Sequence, residues 1–129
     1  MIVVGYTPDV YGAAALEHGI AEARVRGTSL KVLNVTKGDA LADPHFADSG
    51  EVGELRGALD NSGLEFVLDQ SVVSDLVEAL LEAMEDDAAD LLVIGIRHRS
   101  PVGKLLMGST AQRVLLDCPK PVLAVKPLK

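Results

Sequence analysis

At 129 residues the chain has the length of one domain, 1–129, and enough apolar surface to fold without disulfides or a structural metal. A formal net charge of −7 opposes the phosphate backbone of nucleic acid, the sole cysteine excludes an internal disulfide, and no apolar run reaches the roughly 20 residues that span a bilayer. Hydrophobic residues make up 48% and aromatics only 3%, which favours a core of Val, Leu, Ile and Ala in buried parallel strands under Ala-rich helices.

Ile2-Val3-Val4-Gly5-Tyr6 is a β-branched run broken by Thr7-Pro8-Asp9, a buried strand ending in a turn. From Val10 to Arg26, Leu16, Ile20 and Ala23 recur at helical spacing opposite Glu17, Glu22 and Arg24, with Asp9 as N-cap and Gly27 as the stop. Leu30 to Val35 is a second strand, and the stretch from Thr36 to Gly50 lacks periodicity and reads as a long loop. Glu51 to Ser62 has helical character, although Gly53 and Gly57 each cost roughly 1 kcal/mol relative to Ala in a helix interior. Leu64 to Leu68 is a third strand. Val73, Val77, Leu80, Leu81, Met84 and Ala88 then mark one face of a long helix with Ser71 as its N-cap.

Leu91 to Ile94 is apolar on both faces, as a central strand between helices must be, and it stops at Gly95. A basic, irregular loop follows. Gly108-Ser109 opens a helix with Val114 and Leu115 on its inner face, and Pro119 to Pro121 lead into a last strand, Val122 to Val125. Strands alternating with helices favour right-handed crossovers and a parallel, doubly wound α/β sheet. Ligands of such sheets bind outside the carboxyl ends of the strands where the order reverses, so the loops after Tyr6, Val35 and Gly95 are the candidate site.

Gly95 to Thr110 is a strand end, a cationic loop and a helix N-terminus in succession. Gly95 permits close backbone approach, and the amides at Gly108 and Ser109 lie at the positive end of the last helix, a cradle suited to phosphate. Arg97, Arg99 and Lys104 add positive charge to an otherwise acidic chain.

Pro101-Val-Gly-Lys-Leu-Leu-Met-Gly108-Ser109-Thr110-Ala-Gln-Arg-Val-Leu-Leu116, followed by Pro121-Val-Leu-Ala-Val125, resembles the C-terminal signature of universal stress proteins. Ala89 to Gly95 resembles that family's fourth strand and Ile2 to Gly5 its first, so the similarity spans nearly the whole chain, with the loop from Thr36 to Gly50 its least characteristic part. The resemblance implies a Rossmann-like, adenine nucleotide alpha hydrolase-like fold: one five-stranded parallel sheet with four helices, in strand order 3-2-1-4-5. It also implies a homodimer formed through the C-terminal strand and, in one branch, ATP binding, with Mg²⁺ accompanying the triphosphate.

That branch carries a glycine, two residues, a second glycine, nine residues and then Gly-Ser or Gly-Thr; here Gly95 and Gly108-Ser109 fill the ends of the frame and His98 replaces the second glycine. His98 either crowds the phosphates or, as an imidazolium, binds them. After the first strand the branch carries an acidic residue that meets the ribose or adenine, and Thr7 stands there instead, with Asp9 two residues on. Val35 matches a position that touches adenine, with Ile94 beside it. Carried over, the adenine lies against Tyr6, Thr7 and Val35 and the phosphates rest on Gly95, Gly108, Ser109 and Thr110.

Plainer roles stand beside these. Gly95 and Gly103 also suit turns, Gly108-Ser109 suits a simple N-cap, and His98, His18 and His45 suit surface positions. The carboxylates of Glu82, Glu85, Asp86, Asp87 and Asp90 suit a solvated helix end better than a metal site, since no His or Cys joins them at ligand spacing. Cys118 suits packing. No Ser-His-Asp, Cys-x-x-Cys, Walker A or H-E-x-x-H pattern occurs, so the expectation is a binding protein, at most a very slow ATPase. With no basic, then apolar, leader at Met1, the expected location is the cytoplasm. The alternatives are a nucleotide-free dimeric interaction module of the same family, or a small ATPase or phosphotransferase in which His98 takes part.

Overall fold

The computed structural model describes residues 1–36, 46–97 and 109–127. In chain order its elements are β1 (Ile2–Gly5), α1 (Val10–Arg26), β2 (Leu30–Leu33), α2 (Ser49–Ser62), β3 (Phe66–Asp69), α3 (Leu76–Met84), β4 (Leu91–Gly95), α4 (Ser109–Asp117) and β5 (Val122–Val125). The strands form one parallel sheet in the order β3-β2-β1-β4-β5, as the resemblance implies. Ile2 aligns with Leu30 on one side and Leu91 on the other, so the carboxyl ends of β1, β2 and β4 finish level with one another.

Alternation along the strands divides the core into two clusters. Ile2, Val4, Val32 and Val93 face α1 and α2, where Ala15, Ala23, Leu55 and Leu59 cover them. Val3, Leu33, Leu92 and Ile94 face α3 and α4, against Val77, Leu80, Met84 and Val114. Burial on both faces is why these strands read as unbroken apolar runs. Cys118 packs, half-buried, against the second cluster. Of the two residues expected on the inner face of α4, Val114 is fully buried and Leu115 only half so.

Local chemistry explains where the elements begin. Asp9 caps α1, its carboxylate accepting from the amides of Tyr11 and Gly12, and Gly27 closes the helix in the left-handed conformation at φ 64°. α2 begins at Ser49, inside the stretch expected to be loop, because Asp48 and Glu51 form a reciprocal capping box. Its two interior glycines cost roughly 2 kcal/mol together, whereas burying Leu55 and Leu59 contributes roughly 3–6 kcal/mol, so tertiary packing decides in favour of the helix.

The third helix departs from its expected start. Asp75, not Ser71, is the N-cap, accepting from the amides of Val77 and Glu78. The Ser71 carbonyl is instead bonded to the Thr36 amide, and the Thr36 carbonyl to the Val73 amide, so the chain up to Val73 extends the pairing of β2 and β3 beyond the regular ladder. Val73 and Ala88 therefore lie outside the helix whose face they were expected to share.

The acidic end of α3 is solvated. Glu82, Glu85, Asp86, Asp87 and Asp90 are exposed. Asp86 accepts from the Ala88 amide at 2.9 Å, Asp90 from the Met1 amine at 2.7 Å, and Lys120 Nζ donates to the Asp86 and Ala89 carbonyls at 2.7 Å. Among the described residues no helix is long and apolar enough to cross a membrane.

Candidate functional site

From β1 the chain turns to β2 on one side, and from β3 it crosses over to β4 on the other, so the order of strands reverses above β1. Helices on opposite faces diverge there and leave a crevice at the carboxyl ends. A cleft of about 720 Å³ occupies that place. Gly5, Thr7, Leu33 and Val35 form its floor with Ile94 and Gly95, and the first turn of α1 contributes Tyr11 and Gly12. Leu76 and Leu80 of α3 supply an apolar wall, and Ser109, Thr110 and Val114 of the neighbouring α4 line the cleft together with the exposed Arg97.

Seven of the residues expected from sequence converge here: Tyr6, Thr7, Val35, Ile94, Gly95, Ser109 and Thr110 all line the cleft. His98 and Gly108 lie outside the described residues, as do Gly103, Arg99, Lys104 and His45. The first amides of α4 have no intrahelical carbonyl to reach and lie at the positive end of the helix, beside the Ser109 and Thr110 hydroxyls and Arg97.

Three of these residues differ in role from what spacing alone suggests. Tyr6 continues the alternation of Ile2 and Val4, so its ring packs against the α1 and α2 cluster. Burial, with the carboxylates of Glu51, Asp9 and Glu54 adding to it, raises its phenol above the ordinary 10.0. Gly95 is required by packing: a Cβ there would overlap the Tyr11 carbonyl oxygen and lie 2.7 Å from its carbon. Thr7 is not alone, because its hydroxyl donates to Asp9 Oδ1 at 2.7 Å. The turn does bend back, and it brings a carboxylate to the threonine that stands in the acidic position.

Leu76, Leu80, Tyr11 and Gly12 were missed as site residues. Helical periodicity identifies the buried face of a helix but not which end of that face overhangs the sheet edge. Asn34 was missed too. It is 1% exposed and ties the strand ends together: Nδ2 donates to the Tyr6 carbonyl at 2.9 Å, and Oδ1 accepts from the Ala47 amide at 2.7 Å and from Gln70 at 2.9 Å.

The rim across α3 and α4 is electrostatic. Arg113 of α4 stands 3.4 Å from the Asp75 carboxylate. The backbone amide of Glu78 first, then Arg113 and the Val77 amide, hold that carboxyl below the ordinary 3.8, with desolvation opposing them. A folded pKa below the unfolded one contributes stability that is present above the unfolded value and lost as pH falls through the folded value. Urea midpoints of the wild type should therefore fall as pH drops below 3.8, and Asp75→Asn, which keeps a capping oxygen, should flatten that acid limb. An unchanged limb in the variant would assign the acid sensitivity to other carboxylates.

Comparison with known proteins supplies the lineage. Residues 1–126 match the model of the universal stress protein family. The chain is 61% identical over 127 residues to a universal stress protein of Mycolicibacterium smegmatis, covering 98% of each. Its fold superposes on a universal stress protein from Archaeoglobus fulgidus with a TM-score of 0.72 at 28% identity, over 97% of each chain. Two further structures share the fold: the A. fulgidus universal stress protein in complex with dAMP, with a TM-score of 0.66 at 22% identity over 97% of this chain and 96% of that one, and a universal stress protein in complex with cAMP, at 0.67 and 24% over 98% and 96%. On its sequence, its strand order and these matches together, the chain belongs to the universal stress protein family.

Proposed function

We propose that this protein binds an adenine nucleotide such as ATP in the cleft above β1 and acts in the stress response by binding rather than by turnover. The observation that carries the reading is the mixed lining of the cleft: Val35, Leu76, Leu80 and Ile94 offer apolar surface, and the N-terminal turn of α4 with Ser109, Thr110 and Arg97 offers anion donors. Its volume of about 720 Å³ lies within the roughly 300–1,000 Å³ of small-molecule sites. That relatives of this fold are found with dAMP and cAMP supports the ligand class.

In this reading the base lies against Val35, Ile94 and the α3 leucines, and the phosphates meet Ser109 and Thr110. A Mg²⁺ ion entering with ATP would be held chiefly by phosphate oxygens. Binding is favoured over hydrolysis because Asp9, the carboxylate that lines the cleft among the described residues, is engaged as the cap of α1. The protein is proposed to act in the cytoplasm as a homodimer joined through β5, which forms an edge of the sheet.

The chain has no Trp and two Tyr, so a copurified nucleobase would dominate its ultraviolet absorbance. Native protein is expected to show that excess or, once stripped, to release heat on titration with Mg-ATP. Neither signal would leave the second reading, a nucleotide-free dimeric module. One observation favours that module: packing against Tyr11 requires Gly95 whether or not a nucleotide is bound.

A further inference from the structure

The crevice above the sheet has two walls, one from each layer of helices. α3 and α4 pack on one face and bring Leu76, Leu80, Ser109 and Thr110 to it, whereas α1 packs against β1 and β4 from the opposite face and brings Tyr11. Tyr11 lies over the end of β4, since a Cβ on Gly95 would come within 2.9 Å of the Tyr11 Cα. It therefore stands across the crevice from the start of α4. Helical side chains lean toward the N-terminus, so this second residue of α1 directs its half-buried ring out of the helix end that borders the cleft.

The nearby donors of the α1 wall are already committed. The amides of Tyr11 and Gly12 are bonded to Asp9 Oδ1 at 3.1 and 2.9 Å, and the Thr7 hydroxyl donates to the same oxygen at 2.7 Å. The Asp9 carboxylate thus takes the amides that would otherwise receive an anion at this helix end. Tyr6, also at the cleft, packs into the α1 and α2 cluster. The Tyr11 hydroxyl can donate to a phosphate oxygen, which only accepts. Arg97 belongs to the same wall, because Ile96 packs into the α3 and α4 cluster and alternation turns the next residue to the face of Gly95 and Tyr11. We infer that Tyr11 is a phosphate-binding residue, its phenol hydrogen-bonding the nucleotide from the side opposite α4 so that both helical layers hold the anion. This rests on the nucleotide-binding reading and adds to it a residue outside the glycine signature. Losing one hydrogen bond to a charged group corresponds to about a tenfold loss of affinity.

Calorimetric titration of stripped wild type and Tyr11→Phe with ATP and with adenosine, which lacks phosphate, tests this. The variant keeps the ring and is expected to bind ATP about tenfold more weakly and adenosine as wild type does. In phosphorus and proton NMR of bound ATP, the phosphate resonances should differ between the two proteins while the adenine resonances coincide; urea midpoints confirm that the variant is folded. Unchanged ATP affinity in Tyr11→Phe overturns the inference while nucleotide binding stands. So does a variant that shifts the adenine resonances or weakens adenosine equally, since the ring then serves the base or the fold. Binding of neither ligand by wild type overturns the nucleotide reading and this inference with it.

Discussion

Replacing Asn34 by Leu is expected to destabilise the protein by about 3 kcal/mol, read as a lower urea midpoint at unchanged slope. The Tyr6 carbonyl can only accept and the Ala47 amide can only donate, so the orientation of the Asn34 side chain between them is unambiguous. Leucine fills the volume but leaves both backbone groups without that partner, the Ala47 amide in a buried place and the Tyr6 carbonyl in a partly buried one, and an unsatisfied buried group costs about 1–3 kcal/mol. Gln70 also donates to the Ala47 carbonyl at 3.0 Å, so it belongs to the same network as Asn34. A double-mutant cycle with Gln70→Leu should then be non-additive by about 0.5 kcal/mol or more. Additive effects, or an Asn34→Leu variant as stable as wild type, would show that the strand ends are held by other contacts.

Gly95→Ala is expected to cost about 3 kcal/mol in protein stripped of any ligand, at the upper end of what one added methyl group does to a packed site. The new Cβ would lie 2.7 Å from the Tyr11 carbonyl carbon and 2.9 Å from its Cα, closer than real Cβ atoms come. Neither side yields easily. β4 is paired with β1 and β5, and the first turn of α1 is pinned by the Asp9 cap. Denaturant unfolding of the stripped variant separates two accounts of this glycine. A variant that unfolds with wild-type stability and loses only nucleotide affinity would show that the glycine serves the ligand and would refute the packing account.

The two variants also mark how far local pattern reaches. Asp9 as cap, Gly27 as stop and the end of β4 at Gly95 are all legible in sequence, because each depends on a residue and its immediate neighbours. The start of α3 was not. Ser71 and Asp75 are both good capping residues, and the choice falls on Asp75 because the Ser71 carbonyl is bonded to Thr36, a partner 35 positions earlier in the chain. The site shows the same division. Spacing and resemblance brought Thr7, Val35, Gly95 and Ser109 to one cleft, whereas the direction of the Tyr6 ring and the overhang of Leu76 and Leu80 depend on how helices lie across the sheet.

The sequence by itself determined the alternation of strands and helices, the burial of the sheet on both faces and the family, since periodicity, caps and a contiguous signature are properties of neighbouring residues. Only the tertiary structure decided that Gly95 is required by α1, that Asn34 joins three strand ends, and that the Thr7 proton is held by Asp9. The physical reason is that a hydrogen bond or an overlap is set by distance and direction in space, and a linear pattern carries neither once the chain has turned.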